Sequence, residues 1–137
     1  MRLGVSEVLE RTSTMTSRAD RIRMLQENDT PALRAILQGA FDPNIVWLLP
    51  EGEPPYKAND LPDQQNVLLR EFRKFYLFVE GGNPNLKQTR REFLFIELLE
   101  TLDPKDAKLL ASVKDKHIPY PGITSDVVLE AFPGLYQ

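Results

Sequence analysis

His117 is the one histidine in a chain that has no cysteine. A lone imidazole excludes a two-histidine metal site and a deaminase-type H-x-E centre, and any histidine-dependent triad would have to use this residue. Its setting, Asp115-Lys116-His117-Ile118-Pro119, reads as a polar helix exit before a turn. An imidazole there interacts favourably with the helix dipole and needs no catalytic explanation. The lack of cysteine removes thiolate zinc sites, iron–sulfur clusters, disulfides and cysteine nucleophiles together. The acid pairs Glu97/Glu100 and Asp103/Asp106 stand at i, i+3, but metal sites of that type add histidine or carboxylates from other helices. They read as solvated helix faces. Gly81-Gly82 lacks the Lys-Ser/Thr of a phosphate loop and follows a helical pattern rather than a strand, so it reads as a helix C-cap. The expectation is a non-enzymatic chain with no catalytic residues, no metal and no cofactor.

Two constellations point to binding. The first runs from Trp47 to Tyr56, where an apolar stretch meets an acidic, Pro-rich turn: Trp47, Leu49, Pro50, Glu51, Pro54, Pro55 and Tyr56. Aromatic residues dominate interface hot spots, and proline lowers the entropy lost on ordering, so these residues suit a contact with another protein. The competing reading is a lid packed over the core. The second constellation is basic. Arg70, Arg73 and Lys74 lie on one expected helix and Lys87, Arg90 and Arg91 on the next. If the two form a hairpin around Gly81-Gly82, six cations share a face able to contact nucleic-acid phosphates with a steep salt dependence. Against this, Glu71 and Glu92 break the run, as in ordinary solvated helix faces.

The elements that would position these residues are helical. Val5, Val8 and Leu9 mark a short helix over 5–12, and the polar run from Thr12 to Ser17 breaks it. Ser17 with Asp20 resembles a capping box opening a second helix. Thr30-Pro31 opens a third, with Leu33, Ile36, Leu37 and Ala40 at i, i+3, i+4 and i+7. Residues 42–63 hold five of the eleven prolines, which forbids a long helix and predicts an ordered loop. Within it, Ile45–Leu49 could be a short buried strand or a helical turn. The spacing of Leu68, Phe72, Phe75, Tyr76 and Val79 predicts a long helix from about 64 to 79. A further helix over about 86–102 carries too many apolar residues for one stripe and should be central, buried on several sides. Asp103-Pro104 opens a helix to about 114, and Thr124 caps a last one that Pro133-Gly134 stops. The sum is an all-α single domain over 1–137: a compact bundle of about six helices with one ordered Pro-rich loop. Residues 1–27 would be a peripheral helical segment.

The chain of 137 residues, 42% hydrophobic and 27% charged, lies in the globular range and far from the signature of disorder. At 15.7 kDa it should expose about 7,300 Å² and bury about two thirds of its unfolded surface, enough for a core without staples. No apolar run approaches the roughly 20 residues of a membrane span, and the start of the chain lacks a signal-peptide core. These features predict a soluble intracellular protein with no membrane partner. The net charge of −3 argues against a basic footprint over the whole surface. Residues 41–63 carry one basic and five acidic side chains, so the negative charge sits on the Pro-rich loop.

One further pattern concerns family. The segments Ala40-Phe41-Asp42-Pro43-Asn44-Ile45, Leu48-Leu49-Pro50-Glu51-Gly52-Glu53-Pro54-Pro55-Tyr56 and Phe78-Val79-Glu80-Gly81-Gly82 stand beside Arg90-Arg91-Glu92, Phe95, Leu98-Leu99-Glu100, Asp106-Ala107-Lys108-Leu109-Leu110, Lys114-Asp115-Lys116 and Ala131-Phe132-Pro133-Gly134-Leu135. Together, from about residue 28 to the C-terminus, they resemble small uncharacterised proteins of large contractile-tailed bacteriophages, notably cyanophages. The resemblance brings no catalytic residues with it. It implies a setting in the cytoplasm of an infected bacterium and a role in redirecting a host process (host takeover), in phage replication or transcription, or in particle assembly. Joined to the Trp47–Tyr56 constellation, the expectation is a viral accessory protein that binds a host or phage protein. Nucleic-acid binding and a minor virion or assembly role, the latter as a homo-oligomer, are the alternatives.

Overall fold

A computed structural model describes residues 3–137. Helix α1 (Val5–Thr14) buries Val5, Val8, Leu9 and Thr12 on one face, which is the 3.6-residue period of the sequence made physical. Its N-terminus is closed in two ways. The Gly4 N–H donates to the Glu7 carboxylate at 2.9 Å, and the Ser6 N–H donates to Asp106, a hundred residues away, at 2.9 Å. Helix α2 (Arg18–Glu27) starts at Ser17, whose hydroxyl accepts from the Asp20 N–H. It is polar, seats only Leu25 fully in the core, and packs on α1 and on the last helix. Residues 1–27 are therefore not peripheral where they are described, since Val5, Val8, Leu9 and Leu25 are core residues.

Helix α3 (Pro31–Phe41) opens as expected, with Thr30 accepting from the Leu33 N–H and proline at the first turn; Leu33, Ile36, Leu37 and Ala40 are all buried. The expected long helix over 64–79 does not form. The chain makes one α-turn, α4 (Leu68–Glu71), and then tightens into a 3₁₀ helix over Phe72–Leu77. Phe72, Phe75 and Phe78 are spaced by three, so 3₁₀ winding aligns them on the inner side. Tyr76, inward in an α-helix, is instead 54% exposed. Val79 leaves the helix to form a single antiparallel bridge with Trp47. The Leu48 N–H donates to the Phe78 carbonyl and the Glu80 N–H to that of Val46, each at 2.8 Å. Ile45–Leu49 is thus an extended, half-covered stretch rather than a buried strand or helical turn. Gly82 makes the following turn possible, because a Cβ there would lie 1.9 Å from the Tyr76 carbonyl oxygen.

Helix α5 (Gln88–Thr101) buries Arg91, Phe95, Leu98 and Leu99. It is a one-sided helix, not the central one, and Phe93 on its outer side is 54% exposed. The central place belongs to α6 (Pro104–Val113), capped by Asp103, which buries Asp106, Ala107, Leu109, Leu110, Ala111 and Val113 and packs against α1, α3 and α5. Helix α7 (Ser125–Ala131) lies on α2, where Arg18 meets Asp126 at 2.6 Å. The fold is all-α, with seven α-helices among the described residues. Its accessible surface of 7703 Å² is close to the value expected for a folded monomer of this mass.

Candidate functional site

Between α3 and α4 the chain crosses the outside of the molecule as a strap, and its seat begins at Trp47. The indole N–H donates to the Gly39 carbonyl at 2.9 Å, and the ring meets Phe75 edge-on at 5.7 Å. Gly39 is the floor of this seat: a Cβ there would sit 2.8 Å from the indole ring. Trp47 is therefore a half-buried anchor holding the strap to α3 and the 3₁₀ helix. Tyr56, at the far end, packs half-buried against the core. Burial, with the charge of Glu53 beside it, raises its hydroxyl pKa.

Between these anchors the strap is held by Lys114 and Asp115 at the end of α6, and the next residue, Lys116, closes the end of α3. The ammonium of Lys114, whose side chain is 2% exposed, donates to the carbonyls of Pro50 at 3.0 Å and Gly52 at 2.6 Å and to the Asp115 carboxylate at 2.9 Å. The other Asp115 oxygen accepts the Gly52 N–H at 3.1 Å. Lys116 turns to the other side and donates to the carbonyls of Gly39 and Asp42 at 3.0 and 2.7 Å, closing the end of α3. Burial lowers the pKa of its ammonium, and Asp42 opposes that effect. The three side chains diverge because α6 ends in a Schellman turn. The His117 N–H reaches the Ser112 carbonyl and the Lys116 N–H that of Val113, with Lys116 in the left-handed region at φ 63°.

The strap so held roofs a groove of about 230 Å³. Leu49, Phe95 and Ile96 give it an apolar floor, Pro50, Pro54 and Pro55 its walls, and Glu51, Glu53 and Glu92 an acidic rim. A second depression of about 550 Å³ lies beside it, between Glu10, Lys105, Lys108 and Tyr120. That one is wide and of mixed charge, and its Lys105 is tied to Glu10 at 3.0 Å. Among the described residues no three His, Cys, Asp or Glu side chains converge as metal ligands, and no helix is long and apolar enough to cross a membrane.

Residues 8–119 match a family of unknown function, DUF6433. The chain belongs to that family. No curated protein and no solved structure matches it. The span that defines the DUF6433 match contains the strap, α5, α6 and the lysine clamp, and leaves α7 outside.

Of the binding residues read from the sequence of this DUF6433 protein, Leu49, Pro50, Glu51, Pro54 and Pro55 line one groove, while Trp47 and Tyr56 anchor its roof. The basic set is not brought together as expected. With no long helix over 64–79, there is no helical hairpin to align it. Arg91 is 5% exposed and spends its guanidinium on the carbonyls of Leu77, Asn83 and Leu86 and on Gln88, stitching the turn after the 3₁₀ helix. Lys74 is paired with Glu71 at 2.7 Å, and Arg73 and Arg90 lie over Phe72 and Phe93. Arg70 and Lys87 stay exposed. The carboxylate of Asp106 is no solvated face either. It is 1% exposed, and burial raises its pKa to about 6 against the opposing pull of its Ser6 hydrogen bonds. Its Oδ2 has no hydrogen-bond partner among the described residues.

Sequence reasoning missed the clamp, Lys114, Asp115 and Lys116. The available signal was the proline count: a strap rich in proline has few N–H groups of its own, so its carbonyls need donors from elsewhere.

Proposed function

We propose that this DUF6433 protein is a non-enzymatic binding module that holds another protein against the strap and the adjoining side of α5. One observation carries the reading: the exposed, largely apolar groove is kept open by an internal clamp that ties backbone carbonyls to a buried lysine. Such a surface is organised before a partner arrives, so little ordering entropy is lost on binding. The resemblance to bacteriophage proteins supplies the setting proposed for it, an accessory protein acting on a host or phage protein in the infected bacterial cytoplasm. Nucleic-acid binding is the weaker reading, since Arg91 is buried and Lys74 is paired.

The test is affinity capture of the tagged chain from infected host lysate, with and without nuclease, beside an Ile96→Arg variant that fills the groove. A stoichiometric protein retained after nuclease, and lost by the variant with its helical circular dichroism unchanged, supports the reading. Capture that vanishes with nuclease transfers the site to Arg70, Arg73, Lys87 and Arg90. A protein retained equally by both forms removes the groove from the contact.

A further inference from the structure

We infer that the occupant of the groove is a basic segment of the partner, in which one apolar side chain sits on Leu49 and Ile96 and flanking lysines or arginines meet Glu51, Glu53 and Glu92. This deepens the protein-binding reading above and rests on it. Size comes first. At about 230 Å³ the groove is below the roughly 300–1,000 Å³ of small-molecule and cofactor sites. It has room for a side chain or two, not for a metabolite.

Charge decides the rest. Three carboxylates stand on the rim, and among the described residues the one cation lining the groove is Lys114. An ammonium has three N–H bonds, and those of Lys114 go to Pro50, Gly52 and Asp115. Its donors are therefore used up inside the fold, leaving none to offer an anionic ligand. Among the described residues, neither Glu51 nor Glu53 has an ion-pair partner within 4.0 Å; Glu92 accepts only from the neutral amide of Gln88. Beyond Glu51 and Glu53, the surrounding segment 41–63 adds Asp42, Asp60 and Asp63 against one basic residue, Lys57. An acidic ligand would meet repulsion from the three rim carboxylates, and a neutral one would leave them uncompensated. A cationic one is steered in and held.

The experiment selects random dodecapeptides on the immobilised full chain, with depletion on Ile96→Arg, and then measures the recovered peptides by fluorescence anisotropy against the wild type and against Glu51→Gln/Glu53→Gln/Glu92→Gln. The three glutamines are near-isosteric on exposed or half-exposed side chains, and circular dichroism checks their fold. The inference expects peptides with lysine or arginine flanking an aliphatic or aromatic residue, at least tenfold weaker binding to the triple variant, and affinity that falls with salt. Groove-dependent peptides with neutral or acidic flanks, bound equally by the triple variant, overturn the inference and leave the protein-binding reading standing. If no peptide loses binding on Ile96→Arg, both fall.

Discussion

Replacing Lys114 by methionine keeps an unbranched stem under the strap and deletes the ammonium. Three bonds disappear together: those to the carbonyls of Pro50 and Gly52 and to the Asp115 carboxylate. Hydrogen bonds to a charged group contribute about 1.5–3 kcal/mol each, but they do not simply add. Breaking one side of a buried pair costs about 3–5 kcal/mol. The strap carbonyls can reach water once the strap lifts, and Asp115 is already 29% exposed, so the expected loss is about 3 kcal/mol, at the lower end of that range. For a domain of this length that corresponds to a fall in Tm of about 10 °C. The loss should also be local. The Gly52 N–H, held by Asp115, should exchange with deuterium roughly a hundredfold faster, while amides in the middle of α3 slow or quicken only with global stability. Lys114→Arg should recover only part of the loss, because a planar guanidinium cannot gather three acceptors around one nitrogen. A Lys114→Met protein that melts within 2 °C of wild type, with Gly52 exchange unchanged, would refute the clamp.

Two other perturbations test different parts of the same structure. The folded Asp106 has its pKa raised to about 6 from an ordinary 3.8, so between those values the native chain holds a proton that the unfolded chain has released. Its contribution to stability is therefore fully present below about pH 4 and is lost as pH rises through about 6, by up to about 3 kcal/mol. Asp106→Asn should remove that slope; urea unfolding of both proteins at pH 4 and pH 7 measures the difference, and parallel profiles would show that Asp106 titrates normally. Trp47→Ala should lower stability by about 2–4 kcal/mol, since it removes a ring seated on Gly39 and Phe75 as well as an N–H bond. An unchanged unfolding midpoint would make Trp47 a free contact residue after all.

What the sequence made legible was local. Ser17, Thr30-Pro31 and Asp103-Pro104 mark their helix starts because capping involves neighbours within one turn, and the stripes of α3 and α6 bury what their spacing says. The segment 68–79 was not legible, because Phe72 and Phe75 fit a period of 3.6 with Leu68, Tyr76 and Val79 and equally a period of 3.0 with Phe78. Tertiary structure made the choice: the bridge of Val79 to Trp47 and the backbone contact at Gly82 pull the chain out of an α-helix. Arg91 and Asp106 escaped for a different reason. Charge in a sequence reads as solvent, and each of these is buried by partners in irregular backbone or on a remote helix. The groove was half legible, since the Pro-rich segment was visible and α5 as its other side was not.

The clamp explains how one segment can be both acidic and ordered. Pro50, Pro54 and Pro55 bring no N–H to a ladder or a helix, and Glu51 and Glu53 repel each other, so the strap has little to hold itself with. Its carbonyls are its main bonding resource, and they call for a donor with several hydrogens and no acceptor, which describes an ammonium. Lys114 supplies it from the last turn of the most deeply buried helix, so the strap inherits the rigidity of the core. Its positive charge is turned inward to carbonyls and Asp115, which leaves the rim acidic on the outside. The rigidity thus comes from Lys114 and the exposed negative charge from Glu51, Glu53 and Glu92, and loosening Lys114 should weaken capture by the proposed groove even though its ammonium is turned into the fold.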